Sequence, residues 1–186
     1  METALFFELH SIQKNSSFLF NGRGCWAAPP IAINVLAWNC QGIGGPWTVR
    51  KLREYLRQYK PSMVFLSETK CSRKRFKFLR DKFDMFGIEV ELRGKSGGLM
   101  LLWSKSIVVQ IWSYSVNYID AEVYRDGESE KWRVTGFYGE PDASKRKTTW
   151  RRLIQLSHEE RMPWLCVGDF TEVLDRNEKT GAPRPS

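Results

Sequence analysis

Three short apolar runs, at 33–38, 63–66 and 164–167, each end in a polar signature whose candidate metal-binding groups are oxygens. The signatures are Ala37-Trp38-Asn39-Cys40-Gln41-Gly42, Leu66-Ser67-Glu68-Thr69-Lys70 and Val167-Gly168-Asp169-Phe170-Thr171-Glu172. Short, nearly continuous apolar runs suit strands buried on both faces. If the three strands are parallel neighbours in one sheet, Asn39, Glu68 and Asp169 reach the same carboxyl edge, where α/β sheets bind ligands. Two carboxylates and an amide suit a hard cation such as Mg²⁺, which takes one or two carboxylates plus substrate phosphate oxygens. Taken singly, Glu68 and Asp169 read equally well as strand ends or helix caps.

The pattern between the signatures alternates helix and strand, turns to a run of strands, then returns. A helix is predicted over 47–59, with Val49, Leu52 and Leu56 on one face and Pro61 ending it. A second is predicted over 72–83, with Phe76, Leu79 and Phe83 inward and Gly87 as its stop. Strands follow at 88–92, 98–103, 107–113, 118–124 and 131–138, with Asp126-Gly127 as a hairpin turn before the last. The third helix, 144–160, places Trp150, Leu153, Ile154 and Ser157 inward. Residues 1–32, punctuated by Gly22, Gly24, Pro29 and Pro30, read as a leader or tail. Residues 33–186 form the domain.

Composition narrows the class. The chain has 186 residues, 42% of them hydrophobic, enough for one domain with a true core. Its formal net charge of +8 favours polyanionic partners such as DNA. No apolar run is long enough to span a bilayer, and the N-terminus, with Glu2 and Glu8, lacks the layout of a signal peptide. The four cysteines form no C-x-x-C pair; Cys40 and Cys166 read as small buried hydrophobes. The expectation is a reduced, intracellular protein of nucleus or cytoplasm, with no membrane and no secretion. Gly94-Lys95-Ser96 lacks the first glycine of a P-loop, and Gly22-Arg23-Gly24 lacks the strand and third glycine of a dinucleotide fingerprint.

From Ile33 onward the chain resembles the endonuclease/exonuclease/phosphatase family of DNase I-like phosphodiesterases. Within it, the wording is most similar to the endonuclease domain of plant LINE-type (non-LTR) retrotransposon polyproteins. The stretches are Leu36-Ala37-Trp38-Asn39-Cys40-Gln41-Gly42, Phe65-Leu66-Ser67-Glu68-Thr69-Lys70, Gly97-Gly98-Leu99-Met100-Leu101-Leu102-Trp103, Val134-Thr135-Gly136-Phe137-Tyr138-Gly139 and Gly168-Asp169-Phe170-Thr171-Glu172. The resemblance implies an α/β sandwich of two mixed sheets flanked by helices, here as its N-terminal part. It implies Mg²⁺, with Mn²⁺ as a substitute, and a nucleic-acid substrate.

By that resemblance, Glu68 binds the metal, and Asn39 beside it orients metal and phosphate. Tyr138 contacts the phosphate, and Asp169 positions or deprotonates the attacking water. Thr171 stands where the family usually has Asn, and a threonine hydroxyl is shorter and less versatile than an amide. The family's later Ser-Asp-His signature has no counterpart in this sequence, whose histidines are His10 and His158. Two readings follow: an impaired Mg²⁺-dependent endonuclease of retroelement origin, or a non-catalytic, truncated remnant with at most weak nucleic-acid binding. A phosphatase for inositol or lipid phosphates is a third, which the retroelement-like wording disfavours. Basic residues on the first two helices and Trp47, Trp112 and Trp132 are candidates for backbone tracking and base stacking. For both groups an ordinary solvated face or core packing competes with that role.

Overall fold

The computed structural model describes residues 4–8, 18–20, 33–91, 97–159 and 162–170. Thr171, His10, Cys25, Gly22-Arg23-Gly24 and Gly94-Lys95-Ser96 lie outside the described residues. In chain order the elements are β1 (Ala4–Glu8), β2 (Phe18–Phe20), β3 (Asn34–Asn39), α1 (Pro46–Tyr59), β4 (Met63–Ser67) and α2 (Arg73–Phe83). There follow β5 (Phe86–Val90), β6 (Leu99–Trp103), β7 (Val108–Ser115), β8 (Tyr118–Tyr124), β9 (Trp132–Tyr138), α3 (Ala143–Glu159) and β10 (Trp164–Asp169).

The strands form two mixed sheets. The first has the order β1-β3-β4-β6-β5 and the second β2-β10-β9-β8-β7. β3 runs parallel to β4, and β10 parallel to β9. The remaining pairs are antiparallel. Within the stretch read as a leader, β1 and β2 pair along the outer sides of β3 and β10, so each four-stranded body gains an edge strand.

Side-chain alternation explains the layering. Val35, Ala37, Met63, Phe65, Leu99 and Leu101 point from the first sheet into a core shared with Ile119, Val123, Trp132, Val134, Leu165 and Val167 of the second. The alternate residues Leu36, Trp38, Val64, Leu66, Met100 and Leu102 face outward, where Val49, Leu52, Phe76 and Leu79 of α1 and α2 cover them. Phe137, Trp164 and Cys166 face outward from the second sheet and are covered by α3 through Leu153 and Leu156. The result is four layers: α1 and α2, sheet, sheet, α3.

Three sequence expectations are corrected. The runs at 33–38 and 63–66 are parallel neighbours, but 164–167 belongs to the facing sheet, because the meander β5–β9 carries the chain across. The stop of α2 is Asp84, left-handed at φ 53°, whose backbone N–H caps Arg80 and Asp81. Gly87 instead lies within β5, where a Cβ would meet Leu102 Cδ2 at 2.7 Å. On α3 the inner stripe runs Trp150, Leu153, Leu156, while Ile154 is 56% exposed. The first two helices follow the predicted faces, and Asp126-Gly127 makes the β8–β9 turn with Gly127 at φ 81°.

The sheets approach closely at Gly136, where a Cβ would lie 2.1 Å from Phe65 Cδ2 and 2.7 Å from its Cγ. Phe65 is fully buried and cannot swing clear. Gly136→Ala is therefore expected to destabilise by about 1–3 kcal/mol through overpacking. Urea unfolding measures this, and an unchanged midpoint would mean the sheets separate without cost.

Candidate active site

Four side chains from both sheets meet at one rim. The carboxyl ends of β3, β4, β9 and β10 all lie there, because each pair is parallel. Asn39 follows Ala37 by two, Asp169 follows Val167 by two, and Tyr138 follows Gly136 by two. Period-two alternation therefore points all three toward the gap between the sheets. Asp169 and Tyr138 are direct register partners.

Glu68 breaks the pattern. Ser67 takes the position beside Asn39 and is buried, and Glu68 follows in a left-handed conformation at φ 51°. The next backbone groups fix that turn: Thr69 N–H donates to Gly98 O at 3.0 Å and Lys70 N–H to Gly97 O at 3.3 Å. Gly98, at φ 84°, passes so near that a Cβ would sit 2.7 Å from Thr69 Oγ1. A left-handed non-glycine residue held by its surroundings is a common form of strain at functional sites.

Asn39 bridges the sheets. Its Nδ2 donates to Glu68 Oε1 and to Asp169 Oδ2, each at 2.9 Å. Its Oδ1 accepts from Gln41 N–H at 3.3 Å. Tyr138 Oη donates to the same Glu68 Oε1 at 3.1 Å. The structure brings Asn39, Glu68, Asp169 and Tyr138 into one hydrogen-bonded cluster at this rim. Their route there runs through two facing sheets rather than one.

Burial, then the Glu68 carboxylate and its hydrogen bond, then Asp169 and Glu140, push the Tyr138 phenol well above its ordinary value. Tyr138 thus stays a protonated donor. The folded state holds this proton more tightly than the unfolded one. The corresponding stability is present below about pH 10 and is lost as pH rises beyond it. In an alkaline titration followed by tyrosinate absorbance, wild type and Tyr138→Phe should coincide through about pH 10. A Tyr138 component ionising near that pH would contradict the burial argument.

Three residues that sequence reasoning missed belong to this site. Lys70, also left-handed, places Nζ 3.7 Å from Glu68 Oε2. Its signal was its place two residues after Glu68. Asn117 holds Tyr138 from both sides of the peptide: Tyr138 N–H donates to Asn117 O at 2.7 Å, and Asn117 Nδ2 donates to Tyr138 O at 3.1 Å. Glu140 adds negative charge beside the phenol. Neither has a sequence signal. Cys40 stays out of the chemistry: burial pushes its thiol up to about 11, and Sγ lies 3.4 Å from Ser67 O. His158 is exposed on α3, outside the second sheet and away from the rim.

The donors fit a hard cation. Asn39 and Tyr138 occupy Glu68 Oε1, while Oε2 has only the distant, partly exposed Lys70 ammonium in ion-pair range. Such a pair is weak and readily displaced. No group of three His, Cys, Asp or Glu side chains forms an all-protein cage among the described residues. Mg²⁺ is commonly held by one or two carboxylates plus water and substrate phosphate.

The chain matches the Endonuclease/Exonuclease/phosphatase family over residues 36–170. No curated protein shows significant sequence similarity to it. Among solved structures, it is similar to a D. rerio TDP2 humanized by 14 mutations, with 20% identity and a TM-score of 0.57. That match covers 76% of this chain and 67% of the other. The human Nocturnin catalytic domain with bound sulfate matches at 15% identity and TM-score 0.54, covering 75% and 65%. The 3′ phosphatase NExo from Neisseria, bound to a product DNA hairpin, matches at 12% identity and TM-score 0.55, covering 74% and 57%. At these identities the likeness is one of fold. The chain spans about two thirds or less of each neighbour's length. Among the described residues, no helix is long and apolar enough to cross a membrane.

Proposed function

The chain belongs to the Endonuclease/Exonuclease/phosphatase family, and on that premise we propose that it is a Mg²⁺-dependent phosphodiesterase domain acting on DNA or another nucleic acid. The observation that carries this reading is the Asn39 amide joining Glu68 and Asp169 at 2.9 Å each, with Tyr138 on Glu68. The wording of the five motifs supports a retroelement origin. Cys40, Cys71 and Cys166, the free cysteines among the described residues, are in keeping with a reducing nucleus or cytoplasm.

Glu68, through Oε2, and Asn39 would hold Mg²⁺, with Mn²⁺ as a substitute. When bound, the cation neutralises charge on the phosphoryl oxygens and on the leaving alkoxide. Tyr138, kept protonated, donates a hydrogen bond to the phosphate. Asp169, steered by Asn39, orients the attacking water and takes its proton. Thr171 would contact the substrate beyond Asp169.

A second reading, a remnant that binds nucleic acid without cutting it, draws on the position of His158. The single histidine among the described residues sits on the far side of the second sheet, and the candidate phosphate contacts among those residues are Tyr138, Asn39 and Lys70.

The test separates binding from cleavage on a labelled oligonucleotide, with and without Mg²⁺. Cleavage that needs Mg²⁺ and is lost in Asp169→Asn supports the phosphodiesterase. Binding strengthened by Mg²⁺ with no product over hours supports the remnant. Indifference to Mg²⁺ in both assays overturns the metal site.

A further inference from the structure

The whole net charge of the protein resides in one layer. Residues 46–84 hold twelve Lys or Arg and four Asp or Glu, an excess of eight that equals the excess of the full chain. This segment comprises α1, β4 and α2; none of its buried positions is charged, and its cations other than Lys60 and Lys70 lie on the two helices. Arg50, Arg53, Arg57, Lys74 and Lys77 are exposed and make no ion pair with a described residue. Solvated helix faces are often basic, but their charges are ordinarily balanced by acids on the same face. Here the acids are Glu54, Asp81 and Asp84; Lys51, Arg80 and Lys105 respectively take them.

Two large aromatic side chains stand on this basic layer with their rings in solvent. Trp47, in the first turn of α1, is 58% exposed, and Phe78, on α2, is 48% exposed. Phe78 has two cations beside its ring, with Arg75 Cζ 5.2 Å and Lys82 Nζ 5.1 Å from the centroid. Arg75 then reaches across to Gly44 O at 3.1 Å, at the corner where the chain enters α1. That corner is tied to the active-site rim, because Ile43 N–H donates to Thr69 O at 2.8 Å, next to Glu68. Rim, Gly44 corner, Arg75 and Phe78 are thus linked contact by contact, and Trp47 follows the corner by three residues, on the helix that carries Arg50, Arg53 and Arg57.

We infer that this strip is a docking track for single-stranded nucleic acid, running from the rim of the cleft over the outer face of α1 and α2. Phosphates take the uncompensated cations, and unpaired bases stack on Trp47 and Phe78. Exposed aromatics set among cations match the needs of a strand whose bases are free. A duplex hides its bases and would use the cations alone. The inference rests on the proposed nucleic-acid reading for its choice of polyanion, but not on Glu68 or on metal.

The test uses the full chain and fluorescence anisotropy with a labelled oligothymidylate and a duplex of equal length, across a salt series without Mg²⁺. Trp47→Ala with Phe78→Ala should weaken single-strand binding about tenfold or more and leave duplex binding within about threefold. Lys74→Glu with Lys77→Glu should weaken both and reduce the salt slope by about one to two. Binding is read without Mg²⁺ and cleavage with it on the same variants, so failure of the catalytic reading and failure of the track are told apart. All the substituted positions are exposed, and circular dichroism controls for folding. Equal loss on duplex and single strand in the aromatic variant, or no loss on either, overturns the track. So does tighter Trp47-dependent binding to phosphatidylserine vesicles than to the oligonucleotide.

Discussion

Glu68→Gln should lower Mg²⁺-dependent cleavage of an oligonucleotide on the order of 10²–10³-fold, the range seen when a single preorganised electrostatic contact to a transition state is removed. The substitution keeps the shape. A glutamine Oε1 still accepts from Asn39 Nδ2 and Tyr138 Oη, which now lie at 2.9 and 3.1 Å. The lost feature is the negative charge at Oε2, the oxygen that faces Lys70 and that would bind the cation. Mg²⁺ should therefore tighten oligonucleotide binding by the wild-type chain and have no effect on the variant. Asn39→Ala gives a different signature. It removes the one group that hydrogen-bonds both carboxylates, leaving Glu68 and Asp169 like-charged neighbours without their bridge, so metal dependence should weaken rather than vanish. If Glu68→Gln cleaves within about threefold of wild type, no charge at Oε2 is being used and the metal assignment fails.

The site was legible in the sequence because each of its parts sits where an apolar run stops. Asn39, Asp169 and Tyr138 continue the inward alternation of their strands, so period two and the run ends together place them. The partition into two sheets was not legible. The local pattern of Trp164–Asp169 is that of any buried parallel strand, and its parallel neighbour is β9 rather than β3 or β4. The left-handed turn at Glu68 was hidden too, since it depends on Gly97 and Gly98, some thirty residues away, pairing with Thr69 and Lys70. Asp84 could cap α2 in place of Gly87 because aspartate tolerates the left-handed region. On α3, spacing alone allowed either Ile154 or Leu156 as the inner residue. Packing in the cluster with Phe137 and Trp164 takes Leu156.

Least legible of all was Arg133, which period-two alternation within 131–138 gives no reason to bury. It is 1% exposed, one residue into β9. Its Nε and Nη2 grip both oxygens of Asp120, equally buried, at 2.9–3.2 Å. Nη1 donates to Leu156 O on α3 at 2.6 Å, and the guanidinium lies 5.6 Å from the Trp112 ring and 5.1 Å from the Trp164 ring. Thr135 adds a hydrogen bond to Asp120 at 2.5 Å and accepts one from Trp164 Nε1 at 2.7 Å. The cluster fastens β8, β9, β10 and α3 together, behind the strands that carry Tyr138 and Asp169. Arg133→Met should therefore destabilise by about 3–5 kcal/mol, because it strands the Asp120 carboxylate in the interior. For a chain of this size that is a drop in Tm on the order of 10 °C. The cost comes from the unpaired charge rather than from a large net value of the pair. Adding Asp120→Leu to Arg133→Met should thus recover a substantial part of the loss, since replacing a whole buried pair with apolar side chains is often close to neutral. Calorimetry on wild type, both single variants and the double variant completes the cycle. A double variant less stable than either single one would mean that shape at this junction, and not the uncompensated charge, sets the cost.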